Sequence, residues 1–198
     1  MKIKLTAFLL FICFLFCLCG CESGLPYEKD EKLYGTHIAV MTIKDFGEVK
    51  LELYGDIAPV TVANFVKLIK QGFYNGLTFH RAIEGYMIQG GDPNGDGTGN
   101  TATRIYGEFK SNGFENKLSH TKGVLSMARS RDYNSATCQF FIMVGDETRL
   151  DGDYAAFGKV IEGIDIIESV MASIKTNDPN GLISPEKQPI IEKIEMIE

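Results

Sequence analysis

The sequence predicts a mainly β domain: a barrel of short strands accompanied by two α-helices. Three observations carry this. Short β-prone runs recur from residue 38 to the end, many bounded by glycine, of which the chain has 21. Only two stretches repeat their apolar residues at the 3.6-residue period of a helix. The 198 residues suit one domain that buries about 70% of its unfolded surface. Many strands with few helices favour a barrel over a layered α/β fold.

The chain opens on a segment that does not belong to that domain. Lys2 and Lys4 make a positive start, and Leu5 to Cys19 is an almost unbroken apolar run. The run is long for the core of a signal peptide and short for a membrane-spanning helix. It ends Leu18-Cys19-Gly20-Cys21, which resembles a bacterial lipobox: Leu at −3, a small residue at −1, then the cysteine that takes lipid. Cys19 fits worse, because bulky Leu18 precedes it. Residues 1–20 therefore read as a lipoprotein signal peptide, and Cys21 as the lipidated mature N-terminus. Two or three acyl chains there hold a protein stably on a membrane where one does not. The expected location is outside the cytoplasm, lipid-anchored to a bacterial envelope membrane. Residues 21–35 are polar and read as a tether, and residues 36–198 as the folded domain.

The domain begins with Ile38–Ile43, strongly β-prone, and a turn at Asp45-Phe46-Gly47. Val49, Leu51 and Leu53 then alternate with Lys50, Glu52 and Tyr54, as in a half-buried strand. Pro59 introduces a helix of about three turns, to Gln71. Val62, Phe65, Val66 and Ile69 form its apolar stripe, and Gly72 is its stop. Residues 78–142 alternate short strands with glycine-rich loops. A second helix is expected over Ile164–Ile174, striped by Ile164, Ile167, Val170, Met171 and Ile174, with Asp165 near its positive end. Three prolines make Thr176–Pro189 a loop, and Ile190–Ile197 closes the domain as a strand.

Charge and cysteine usage narrow the function. Net charge is −6, and removing Lys2 and Lys4 with the leader leaves 18 basic against 26 acidic residues. That balance argues against nucleic-acid binding. Cys138 is the one cysteine left inside the domain, so no disulfide framework exists. It sits in the strand-like run Cys138-Gln139-Phe140-Phe141-Ile142 and reads as a buried small hydrophobe. His37, His80 and His120 lack metal-ligand spacing, and His80 reads as a packed core residue. Asp92-Pro93-Asn94-Gly95-Asp96-Gly97 matches the first half of an EF-hand loop, but its twelfth position is Thr103 rather than Glu. No metal or other cofactor is expected. No serine-centred elbow or phosphate loop is present.

The stretch richest in chemistry is Phe79-His80-Arg81 followed by Gly85-Tyr86-Met87-Ile88-Gln89-Gly90-Gly91-Asp92. A strand over Tyr86–Gln89 puts Met87 and Gln89 on one face. Arg81 lies on the preceding strand, from which it can reach that same face. An arginine and a glutamine beside an apolar patch can grip a peptide carbonyl and pack a ring; they supply no nucleophile.

These motifs resemble the signature of the cyclophilins, the peptidyl-prolyl cis-trans isomerases. Gly97-Thr98-Gly99, Ile105-Tyr106-Gly107-Glu108, Leu125-Ser126-Met127-Ala128, Gln139-Phe140-Phe141-Ile142 and Phe157-Gly158-Lys159-Val160 recur in the family's order. The resemblance covers about residues 35–198. It implies a closed eight-stranded antiparallel barrel with a helix at each end. It implies Arg81 as the catalytic arginine, and Tyr86, Met87, Phe141 and Leu150 as a proline pocket. Gln89 then bonds the substrate backbone, Ala128 and Arg129 lie along the peptide groove, Gln139 borders it, and Gly97 and Thr98 form a neighbouring wall. The implied partners are proline-containing unfolded or exported polypeptides, met by a monomer.

Three positions depart from the better-known eukaryotic pattern. Tyr86 stands where Phe is usual, and Tyr154 where His is often found, as in bacterial members. Arg149 replaces the Trp that contacts cyclosporin, so weak cyclosporin binding is expected. A rival reading makes the same groove a proline-peptide binding module or chaperone. The presence of Arg81 favours the enzyme, since a pure binder needs no donor on the prolyl nitrogen.

Overall fold

Eight antiparallel strands pair into one curled sheet in the computed structural model, which describes residues 30–197. The leader, Cys21 and the start of the 21–35 tether lie outside the described residues. From Asp30 onward the polar stretch lies against the domain. The Asp30 carboxylate accepts from the Tyr106 N–H (3.1 Å), and the Leu33 N–H donates to the Pro59 carbonyl (3.0 Å).

Strands β1 (Thr36–Ile43) and β2 (Gly47–Tyr54) form the expected hairpin, with Ile43 opposite Gly47. Their alternation is read out directly: Ala39, Met41, Val49, Leu51 and Leu53 are fully buried. Helix α1 (Pro59–Lys70) follows with Pro59 in its first turn, and Gly72 ends it at a positive φ that costs glycine nothing. The predicted stripe of Val62, Phe65, Val66 and Ile69 is buried. Ala58 offers no side-chain cap. The buried Glu108 carboxylate instead accepts the N–H groups of Val60 (2.9 Å) and Thr61 (2.8 Å). A distant acid thus satisfies helix donors that have no partner within the helix.

The remaining strands are β3 (Thr78–Ile83), β4 (Met87–Asp92), β5 (Val124–Met127), β6 (Phe140–Met143), β7 (Ala156–Glu162) and β8 (Ile191–Ile197). Helix α2 (Ile164–Ser173) lies between β7 and β8. Ile167 and Val170 of its stripe are buried, while Ile164, Met171 and Ile174 pack half-buried against the core. β4 begins one residue later than expected, at Met87. The β3–β4 turn takes Tyr86, whose N–H donates to the Ile83 carbonyl (3.1 Å).

Across the sheet the order is β3-β4-β6-β5-β7-β2-β1-β8. The expected closed barrel is corrected here to a curled half-barrel. β3 and β8 are its two edges, and no strand ladder joins them. They meet at an isolated bridge between Thr78 and Ile190. Pairing slips at bulges in β3, between Thr78 and Phe79 and again between Phe79 and Arg81. Such bulges bend a strand and break its ladder.

Both faces of the sheet carry apolar side chains, which is why β6 is an unbroken apolar run rather than an alternating one. Its inner residues Phe140 and Ile142 join the main core. There Phe65 packs on Phe140 (5.3 Å, near-perpendicular rings) and on Tyr74 and Phe157 (5.0 Å each). Burying each such ring stabilises the fold by roughly 1.5–3 kcal/mol. The outer residues Phe141 and Met143 join a smaller cluster with Met87, Val124 and Ala156. That outer cluster is the floor on which the site is built.

Candidate active site

Strand register places the site. Arg81 of β3 pairs with Gln89 of β4, Gln89 with Phe141 of β6, and Phe141 with Ser126 of β5. Directly opposed residues point to the same face, so one row across four strands carries a guanidinium, an amide, an aromatic ring and a hydroxyl. Met87, two residues from Gln89, joins them on that face.

A cavity of about 270 Å³ opens over Arg81, Gln89 and Phe141 of this row. Of the residues singled out in the sequence, Arg81, Tyr86, Met87, Gln89, Gly97, Ala128, Arg129, Phe141, Leu150 and Tyr154 line it. Tyr154 meets the Phe141 ring edge-on at 5.9 Å. Arg129 is held as a wall: its Nε donates to the Asp153 carbonyl (2.9 Å), and its guanidinium lies 4.7–5.1 Å from the rings of Tyr154, Phe109 and Tyr133. Gln139 borders a second, more polar cavity that shares Gln89, Gly97, Ala128 and Arg129 with the first.

Thr98 is the one predicted site residue that reaches neither cavity. Its hydroxyl donates to Asp96 (2.6 Å) and accepts from Asn94 (3.1 Å), closing the 92–98 loop on itself. The Asp92 carboxylate is used the same way, accepting from the N–H groups of Asn94, Asp96 and Gly97. The half-EF-hand resemblance is therefore a backbone-supported turn, and the described residues contain no metal-binding cluster.

Arg81 is oriented by two fixed acceptors. Its Nε donates to the Asn180 carbonyl (2.7 Å) and its Nη1 to Gln89 Oε1 (3.2 Å). Gln89 Nε2 donates in turn to Gln139 Oε1 (2.9 Å), and Gln139 Nε2 to the Gly99 carbonyl (2.7 Å). Donor follows acceptor along this chain, so the orientation of each amide is set. The remaining N–H groups of the guanidinium's five are left for the cavity. Half-buried beside Met87 and Phe141, they act in a lower dielectric than water, where a donor is electrostatically stronger.

Two groups at the site, Leu182 and His120, are not readable from the motif, and a third, His80, is read there only as a packed core residue. Leu182, 40% exposed, is the twelfth lining residue, and the Asn180 carbonyl beside it anchors Arg81. His80 lines the cavity from within β3; it is fully buried, and neither ring nitrogen has a hydrogen-bond partner among the described residues. Burial holds its pKa below the ordinary value, which favours the neutral ring. His120 lies beneath the floor. Its Nδ1 donates to the Asp151 carboxylate (2.8 Å), its Nε2 accepts from the Ser126 hydroxyl (3.0 Å), and its ring stacks on Phe141 (6.1 Å between centroids).

That Asp–His–Ser order has the connectivity of a hydrolytic triad. Ser126 is fully buried and lines neither cavity, so its oxygen meets no substrate. The arrangement is a brace instead. Asp151 also accepts from the Ser119 hydroxyl and the His120 N–H, fixing the turn that carries Leu150, while His120 supports Phe141. Burial raises the Asp151 pKa, but the hydrogen bonds from Ser119 and His120 outweigh it and hold the carboxyl below its usual range. Burial pushes His120 down as well, against the pull of Asp151.

The proline cavity has a polar rim on an apolar floor and a fixed guanidinium, and among the described residues no serine, threonine or cysteine lines it. It can hold a ring and donate to an atom that gains electron density. The sequence profile of the family "Cyclophilin type peptidyl-prolyl cis-trans isomerase/CLD" matches residues 38–196. A peptidyl-prolyl cis-trans isomerase of Helicobacter pylori is 44% identical over 149 residues, 73% of this chain and 86% of that protein. One from Acinetobacter baylyi is 39% identical over 151 residues, 74% and 78%. Among solved structures, a Cryptosporidium parvum cyclophilin type isomerase, crystallised in the presence of the dipeptide Ala-Pro, matches with a TM-score of 0.71 at 29% identity. That match covers 81% of this chain and 99% of that one. Sequence, fold and site together place this chain in the cyclophilin-type peptidyl-prolyl cis-trans isomerase family.

Proposed function

We propose that this isomerase accelerates Xaa-Pro isomerisation in exported chains, working at a membrane to which lipid on Cys21 anchors it. The barrier it lowers, about 20 kcal/mol, is the loss of amide resonance as the C–N bond twists. In the twisted state the prolyl nitrogen becomes pyramidal and recovers a lone pair. A donor aimed at that nitrogen binds the transition state better than the planar ground state, which is the condition for catalysis. Arg81 takes this role, and no proton need be transferred. The pyrrolidine ring sits on Met87, Phe141 and Leu150, edged by Tyr86 and Tyr154. The second N–H of Gln89 Nε2 reaches the substrate backbone while the first stays on Gln139. An apolar floor helps further, because the planar amide is more polar than the twisted one and loses more by desolvation.

One observation carries the mechanism: a guanidinium pinned by Asn180 and Gln89 at the edge of an apolar cavity. The Ala-Pro dipeptide present with the Cryptosporidium relative supports a proline ligand here. A protease-coupled assay on an Xaa-Pro peptide tests the activity, with acceleration over the uncatalysed rate expected. Peptide binding without acceleration would make the groove a binding module. The Leu18-Cys19-Gly20-Cys21 junction supports the anchor. Labelling with radioactive palmitate tests it, and label retained by a normally processed Cys21→Ala variant would remove the lipid from Cys21.

A further inference from the structure

We propose that Leu182 determines substrate specificity, giving the groove an apolar shoulder that favours a large apolar side chain on a residue adjoining the substrate proline. The inference rests on the isomerase reading of the site.

Leu182 forms an isolated antiparallel bridge with Arg81. Bridge partners point to the same face, so its side chain lies beside the guanidinium. The neighbouring bonds fix this register: Ala82 N–H donates to the Gly181 carbonyl and Ile183 N–H to the His80 carbonyl, both at 2.9 Å. Alternation then sends Ile183 into the core, 4% exposed, and leaves Leu182 in the cavity wall, 40% exposed.

The loop behind it is built to hold that position. The Asp178 carboxylate accepts from the N–H groups of Asn180 (2.8 Å) and Leu182 (3.3 Å), and the Thr176 hydroxyl donates to the Leu182 carbonyl (2.5 Å). Gly181, at φ +80, lies so close to β3 that a Cβ there would sit 2.3 Å from the Ala82 carbonyl oxygen. One short segment therefore anchors Arg81 through a backbone carbonyl and presents an apolar side chain next to it.

The groove is unequal as a result. Past Gln139 it opens into the cavity bordered by Asn100, Arg104, Ser130 and Ser135, which is polar. Past Arg81 its wall is Leu182. A peptide chain crossing the proline cavity meets polar side chains on one flank and an apolar one on the other. An exposed leucine by itself signals nothing; this one borders the reacting centre.

Exchange NMR on peptides carrying Leu or Ser at each position flanking the proline tests the proposal, with affinity measured on the same samples. Wild-type protein should favour the leucine peptide in kcat/KM by about tenfold at one flank, the worth of covering a leucine side chain. Leu182→Ser should bring that ratio close to one, and Leu182→Met should keep it. A wild-type ratio near one at both flanks, or a preference that survives Leu182→Ser, overturns the shoulder while leaving the isomerase intact. A wild-type preference seen in affinity without turnover upholds the shoulder and defeats the isomerase reading.

Discussion

Replacing Arg81 with alanine isolates the one group that the mechanism asks to act in the transition state. The side chain makes two bonds, from Nε to Asn180 and from Nη1 to Gln89. Both acceptors lie at the rim, so solvent replaces much of what is lost, and folding should weaken by about 1–2 kcal/mol. Catalysis should suffer more. Losing one preorganised donor to developing electron density lowers the rate about 10²–10³-fold, or roughly 3–4 kcal/mol. That is a modest part of a barrier near 20 kcal/mol, so the alanine variant keeps whatever the apolar floor supplies. The loss should fall on kcat, with KM little changed, because the planar ground state offers the guanidinium no lone pair on nitrogen. Arg81→Lys should recover little. One ammonium cannot satisfy Asn180 and Gln89 together and still present a donor in the fork geometry. Protease-coupled kinetics on a prolyl peptide, with urea unfolding as the control for fold, read both effects. Near-wild-type turnover by a folded Arg81→Ala protein would refute the assignment. A raised KM at unchanged kcat would make Arg81 a binding residue instead.

Three further outcomes are expected. Glu108→Ala should destabilise the fold by about 2–4 kcal/mol in urea, since it orphans the buried N–H groups of Val60 and Thr61; a loss below about 0.5 kcal/mol would show that water caps α1 equally well. Burial holds His80 and His120 below the ordinary imidazole value, so on acidification the unfolded chain takes up protons first. The stability present above about pH 6.5 is then lost as pH falls through that value towards the lowered folded ones. Urea midpoints between about pH 7 and 5 should decline in the wild type and less steeply in His120→Asn, and an unchanged slope would count against a neutral buried His120. Arg149 is gripped by Glu147 through both Nε (2.7 Å) and Nη2 (2.6 Å) and does not line the proline cavity. Cyclosporin should therefore inhibit weakly, and Arg149→Trp should tighten it about thirtyfold, as gaining one aromatic hot spot would; equal inhibition constants for the two proteins would remove position 149 from the inhibitor contact.

What the sequence disclosed follows how far apart the interacting residues stand along it. Arg81 and Gln89 are eight residues apart across one hairpin, so a single local pairing register puts them on one face. The stripe of α1 is equally local, and Val62, Phe65, Val66 and Ile69 are all buried. Barrel closure is not local. β-prone composition marks β3 and β8 as strands and is silent on whether they pair. The bulges in β3 and the Thr78–Ile190 bridge belong to the curl of the whole sheet. Thr98 shows the same limit on a smaller scale, because its motif marks the loop while side-chain competition for Asp96 decides where the hydroxyl goes.

The groups the motif missed are those that hold the reacting side chains in place. Asn180 lies 99 residues from the arginine it anchors, and it acts through a backbone carbonyl that any residue possesses. No side-chain pattern could mark it. His120 bonds to Asp151, 31 residues away, and to Ser126, six away, and it stacks on Phe141, which β5–β6 pairing sets opposite Ser126. As three scattered polar residues they resemble surface groups; their burial turns them into a brace under Phe141. A stretch of 14 residues, Phe79 to Asp92, thus carries the arginine and its first partner, and the distant 178–183 loop sets where that arginine points. Catalytic precision of this kind needs support on both sides of the acting group. Here one support is legible because it shares a hairpin with Arg81, and the other is hidden because it reaches the site only through the fold.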